Sequence, residues 1–178
     1  MDSLALTEHG NMFSVVPFYQ KAKKAGINPI IGCETYVAVG SRHDKKLQPG
    51  GGWGNNHLIL LVQNQIGYEN LMKLVTAGYL EGFYYRPRID MELLEKHSEG
   101  LVCLSGCLKG EIPEKMLNGD YNGAREAALK YSEIFSDRFY LEVQNHGIPE
   151  EIANIENMKK LAHDLSLPLV CTNDAHYS

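Results

Sequence analysis

Continuously apolar runs and amphipathic stretches alternate along this chain. Runs that favour strands fall at Leu4 to Leu6, Pro29 to Val37, His57 to Val62, Leu101 to Leu104, Phe139 to Val143 and Leu169 to Thr172. Between them, apolar positions recur at helical spacing over Phe13 to Ala25, Ile66 to Leu80, Tyr121 to Phe135 and Glu150 to Leu165, with Gly26 placed to cap the first helix. Segments such as Leu58-Ile59-Leu60-Leu61-Val62 do not alternate with polar residues, so both strand faces should be covered. The rhythm predicts an α/β fold built on a parallel sheet or barrel. Gly40 to Asn56, with Pro49 and a glycine cluster, reads as a loop, and so does Glu81 to Asp90.

Composition narrows the class. A length of 178 residues suits one domain, and 44% hydrophobic with 22% charged residues is ordinary for a globular chain. A net charge of −5 provides no overall basic field, so nucleic-acid affinity has to come from local patches. No apolar run approaches the roughly 18 residues of a membrane span, and the N-terminus lacks a signal-peptide pattern; a cytoplasmic protein without a membrane partner is expected. Cys33, Cys103 and Cys171 lie in apolar runs and read as buried, reduced thiols, whereas Cys107 sits in a turn between Gly106 and Gly110.

The chemistry-bearing residues fall where strands end. In parallel barrels the strand ends and the loops after them converge on one working face. His9 follows the first run, Glu34 lies late in the second, Cys107 follows the fourth, and Asp174 and His176 follow the last. His57 begins its run instead of ending it, and a simple rim rule puts it on the wrong face unless a shifted register or bulge intervenes. Imidazole with carboxylate suits zinc, manganese or iron, and a thiolate moves the preference toward zinc. Clusters holding two or more ions suit phosphoester hydrolysis. His43, His97 and His163 lie in polar or helical contexts and read as solvated.

The segments Leu4-Ala5-Leu6-Thr7-Glu8-His9-Gly10-Asn11-Met12-Phe13, Pro29-Ile30-Ile31-Gly32-Cys33-Glu34, Leu104-Ser105-Gly106-Cys107-Leu108-Lys109-Gly110-Glu111-Ile112 and Asn173-Asp174-Ala175-His176-Tyr177 resemble the polymerase and histidinol phosphatase (PHP) domain of bacterial DNA polymerase III alpha subunits. The resemblance covers essentially the whole chain. It implies a distorted seven-stranded, TIM-like (β/α) barrel, here one partial PHP domain over 1–178 that lacks the first strand and stops before the barrel and the polymerase palm, fingers and thumb are complete. It also implies up to three ions, zinc or manganese, held by His9, Glu34, His57, Cys107, Asp174 and His176. Of these, His9, Glu34, Asp174 and His176 would be catalytic. Glu8, Asn173, Glu142 and His146 are expected to support the ligands without binding ions themselves.

By the same resemblance, the parent would be a DNA-directed DNA polymerase whose PHP module trims primer ends as a 3′–5′ exonuclease. Its partners would be the primer 3′ end, the rest of the alpha subunit and, through that subunit, the sliding clamp and clamp loader. The alternatives are a non-catalytic PHP module that stabilises the polymerase and a stand-alone phosphatase. A partial barrel would leave the strand near Leu4 to Thr7 unpaired on one side, giving a fragment weak or inactive alone. Tyr84, Arg86 and Arg88 in the second loop interleave an aromatic ring with guanidinium groups, a composition that stacks on a splayed base and holds phosphates. The plainer alternative pairs those arginines with Asp90 or Glu92.

Overall fold

A computed structural model describes residues 1–46 and 54–176. Part of the glycine-rich loop, residues 47–53, and Tyr177 of the last motif lie outside the described residues. The chain falls into two compact units, Met1–Val102 and Cys103–Ser178. The first contains β1 (Ser3–His9), α1 (Val15–Lys24), β2 (Asn28–Ala38), β3 (Asn55–Val62), α2 (Gln65–Leu80), β4 (Arg88–Ile89) and α3 (Met91–His97). The chain passes to the second within β5 (Leu101–Leu104) and continues through α4 (Glu111–Leu117), α5 (Tyr121–Phe135), a 3-10 turn, β6 (Phe139–Val143), α6 (Pro149–Leu165) and β7 (Leu169–Cys171).

In the first unit β1 runs parallel to β2, with His9 beside Glu34. Strand β3 runs antiparallel to β2, pairing Tyr36 with His57 and Glu34 with Ile59. Within the expected parallel arrangement β3 is the exception: the connection over 39–54 contains no helix among its described residues, and the chain returns beside β2 in the opposite sense. Cys33, Leu58 and Leu60 are almost completely buried, forming the covered side of this sheet. Gly26 closes α1 as expected: at φ +71° its N–H reaches the Lys23 carbonyl while Ile27 N–H reaches that of Ala22.

Helix α2 is capped by Asn64, whose side chain accepts from Gly67 N–H at 3.0 Å, and it packs closely on the turn before β5. A Cβ at Gly67 would lie 1.8 Å from the Gly100 carbonyl oxygen. Because that obstacle is backbone, Gly67→Ala should destabilise the protein by about 3 kcal/mol or more, read as a lowered denaturant midpoint. An unchanged midpoint would show that the turn can move away.

The second unit is parallel throughout: Cys103 and Leu104 pair with Phe139 and Tyr140, and Leu141 to Val143 pair with Leu169 to Cys171. Helix α5 buries Ala124, Ala127, Ala128, Tyr131 and Phe135, the i, i+3, i+4, i+7 stripe that its sequence predicts. Two short helices were not foreseen. Helix α3 starts at Asp90, whose carboxylate accepts from Leu93 N–H at 3.2 Å, and α4 carries Pro113 in its first turn, where no backbone donor is lost. Cys33 and Cys103 are buried as expected, and burial pushes the Cys33 thiol up to about 12. Cys171 is exposed, which corrects its reading as a core thiol: β7 pairs only with β6 among the described residues, and its side chains are left partly uncovered. His97 is also corrected from solvated to half-buried; its pKa is lowered first by burial and then by Lys73 and Lys96.

Candidate metal centre

Three of the predicted ligands meet on one face of the first unit's sheet. His9 and Glu34 are lateral neighbours in the β1–β2 register, and Glu34 and Tyr36, two residues apart, point to the same side of β2. His57, opposite Tyr36, joins them because β3 is antiparallel, which places the beginning of β3 at the end of β2. This removes the geometric objection to His57: no bulge or slipped register is needed.

The Glu34 carboxylate is almost fully buried and its two oxygens serve different rings. Oε2 lies 3.3 Å from His9 Nε2, and Oε1 makes a close contact with His57 Nδ1. The two imidazole centroids are 5.9 Å apart, and the Tyr36 ring stands edge-on to His57 at 5.2 Å. Gly10 closes the end of β1. Its N–H donates to the Glu34 carbonyl at 2.8 Å, its φ is +66°, and a Cβ there would lie 2.7 Å from Pro87, so no larger residue fits.

Glu8 was expected to support the ligands, but both its oxygens bind Ser14, one accepting from the backbone N–H and the other from the hydroxyl, each at 2.9 Å. It fastens the start of α1 and makes no hydrogen bond to an imidazole. Arg88 is corrected as a DNA contact. Its guanidinium is buried and donates to the carbonyls of Gly82, Arg42 and Asp44 at 2.9 to 3.1 Å, so its donors are directed at backbone. Burial lowers its pKa. Tyr84 lies under that guanidinium, 5.2 Å from ring centroid to carbon. Arg86 is the exposed cation of the loop, set 5.6 Å over the Tyr36 ring. The partner of Asp90 and Glu92 is neither of these arginines but Arg42, which sequence reading passed over because it stands 48 residues from Asp90.

In the second unit the turn bearing Cys107 is stitched to β6. Ser105 N–H donates to the Tyr140 carbonyl, Ser105 Oγ accepts from Glu142 N–H at 2.8 Å, and Gly106 N–H donates to the Glu142 carboxylate at 3.0 Å. Glu142 also accepts from Gln144 and Thr172. Burial raises its pKa, opposed by these three donors. Glu142 thus braces the turn that carries Cys107. Asp174 and His176 follow β7, Asp174 at a positive φ of 41°. His176 Nδ1 lies 2.8 Å from the Asp174 carbonyl oxygen and 3.9 Å from its carboxylate. Asn173 contributes its carbonyl, which lies 2.7 Å from His146 Nε2.

Two imidazoles sharing one buried carboxylate make a donor set that fits divalent transition metals, since each carboxylate oxygen can serve an ion held by a different ring. The covered α/β sheets and the imidazole–carboxylate face thus define an α/β class with a candidate metal centre.

Within that class, a family model for the PHP domain matches residues 1–146, and the chain belongs to this family. It is 49% identical to the DNA polymerase III subunit alpha of Borreliella burgdorferi over 99% of its own length, and 47% identical to those of Thermus aquaticus and Treponema pallidum over 98% and 99%. The chain spans only 14 to 15% of the length of those relatives. Among the described residues no helix is long and apolar enough to cross a membrane.

Proposed function

We propose that this chain is the PHP region of a cytoplasmic replicative DNA polymerase III alpha subunit and that it serves there as a metal-dependent phosphoesterase trimming the 3′ end of a primer. The observation that carries this reading is the buried Glu34 carboxylate set between the imidazoles of His9 and His57. In this reading His9, Glu34, His57, Cys107, Asp174 and His176 bind zinc or manganese ions. When bound, such ions lower the pKa of water and neutralise a leaving oxygen. Buried Glu34 holds the two rings in place, and Tyr36 limits water around His57. Exposed Arg86, beside Tyr36, is suited to a primer phosphate, with Tyr84 fixing the loop that presents it. Partners would be the primer end, the rest of the alpha subunit and, through it, the sliding clamp and clamp loader.

The test is manganese-dependent trimming of a mismatched primer by the purified protein, alone and with the rest of the alpha subunit. Joint replacement of Asp174 and His176 by alanine should abolish it. Trimming that survives the double replacement would sink the proposal. Metal binding with no trimming of any primer end would favour the structural role, and turnover of a small phosphomonoester but not of DNA would favour the stand-alone phosphatase.

A further inference from the structure

His146 lies on the turn between β6 and α6 and joins two segments of the second unit. The Glu151 carboxylate, in the first turn of α6 and almost fully buried, accepts from the backbone N–H of His146 at 2.6 Å and faces its Nδ1 at 2.8 Å. The other ring nitrogen, Nε2, faces the Asn173 carbonyl oxygen at 2.7 Å. A carboxylate and a carbonyl can only accept, so both ring nitrogens must carry a proton for both contacts to be hydrogen bonds. No side-chain hydrogen bond caps the start of α6, where Ile148 precedes Pro149, so Glu151 ties this helix end to the turn before it.

We infer that His146 is a positioning residue: as an imidazolium anchored on Glu151, it holds the Asn173 carbonyl and thereby sets the segment that presents Asp174 and His176. The inference rests on the reading of those two residues as metal ligands. Among the described residues no other side chain hydrogen-bonds Asn173, and the residue after it adopts the left-handed conformation, so a fixed carbonyl at 173 constrains where the Asp174 carboxylate points. The electrostatics agree. The Glu151 bond, then the Asn173 contact, raise the pKa of His146, and burial of Glu151 is outweighed by its bonds to His146, leaving its pKa lowered. Glu151 from the helix and Asp174 from the segment are the charged groups acting on the ring. The clasp is complete below the ordinary histidine value of about 6.5 and loosens as pH rises through the raised one.

Manganese affinity of the purified protein, measured by titration calorimetry, provides the test. His146→Ala should weaken binding about 10-fold or more, the usual cost of losing a group that orients a ligand. Glu151→Gln should lose less affinity than His146→Ala, because a glutamine amide can donate to Nδ1 and leave a neutral ring that still donates from Nε2 to Asn173. Asp174→Ala should lose binding outright. If Asp174→Ala weakens binding and His146→Ala does not, the clasp is overturned and the ligand reading stands. If Asp174→Ala binds as wild type, the ligand reading falls and the clasp with it. Equal losses in Glu151→Gln and His146→Ala would overturn the hydrogen-bond argument. Should His146→Ala not fold, long-range proton–nitrogen spectra of the wild-type protein decide: both ring nitrogens protonated at pH 7 supports the clasp, and one bare nitrogen overturns it.

Discussion

Arg42→Ala is expected to destabilise the protein by about 3–5 kcal/mol, the range for removing one partner of a buried ion pair. The Arg42 side chain is 9% exposed and the Asp90 side chain 4%, with Nη1 3.0 Å from both carboxylate oxygens. The partners Glu81 and Glu92 are 44% and 76% exposed, and pairs so open to water contribute about 1 kcal/mol or less. The large term is therefore Asp90, left buried with only the backbone donors of residue 42 and of Leu93. Burial works against the Arg42 charge, but the three carboxylates outweigh it and raise its pKa further. Lysine should not restore the loss, since an ammonium cannot span three carboxylates as a planar fork does. Urea unfolding reads the effect, and the Arg42→Ala, Asp90→Asn double variant should recover part of it. A loss below about 1 kcal/mol would mean that water replaces the guanidinium and the pair is solvated in practice.

The second large effect concerns chemistry. Glu34→Gln should weaken divalent-metal binding by about 100-fold or more, beyond what loss of an orienting group alone produces. It should leave the fold intact. Glutamine matches the carboxylate in shape and its carbonyl can accept from one imidazole, so the buried position between His9 and His57 is not emptied. What it lacks is the second anionic oxygen, and a shared carboxylate needs both. Plasma mass spectrometry after purification without chelator, with a melting curve beside it, separates the outcomes. Unchanged metal content would exclude Glu34 as a shared ligand; lost metal with a collapsed melting curve would mark it as a residue needed for folding.

How much of this was legible in the chain differs by element. Helix α5 and strands β5 and β6 lie where their periodicity places them, because burial of a stripe or of a continuous apolar run is written locally. His9, Glu34 and Cys107 stood out because they end strands or follow them. His57 was legible as a residue type but not as a neighbour of Glu34, since a run of apolar residues reads the same in either direction. Arg88 shows the converse. A loop rich in arginine and tyrosine looks like a nucleic-acid surface, yet the carbonyls of Gly82, Arg42 and Asp44 were close enough to take its donors. Glu151 is locally an ordinary acidic residue of a helix start, and nothing in the neighbouring sequence announces that it holds His146.

The sequence by itself determined the α/β class, the positions of the long helices and the donor types available to a metal, because these follow from short-range periodicity and side-chain chemistry. Tertiary structure alone decided the direction of β3, the partner of Asp90 and the fate of Arg88. Each depends on groups far apart in the chain, and the cost of a buried charge or an unpaired backbone group exists only once folding has removed the water that would otherwise satisfy it.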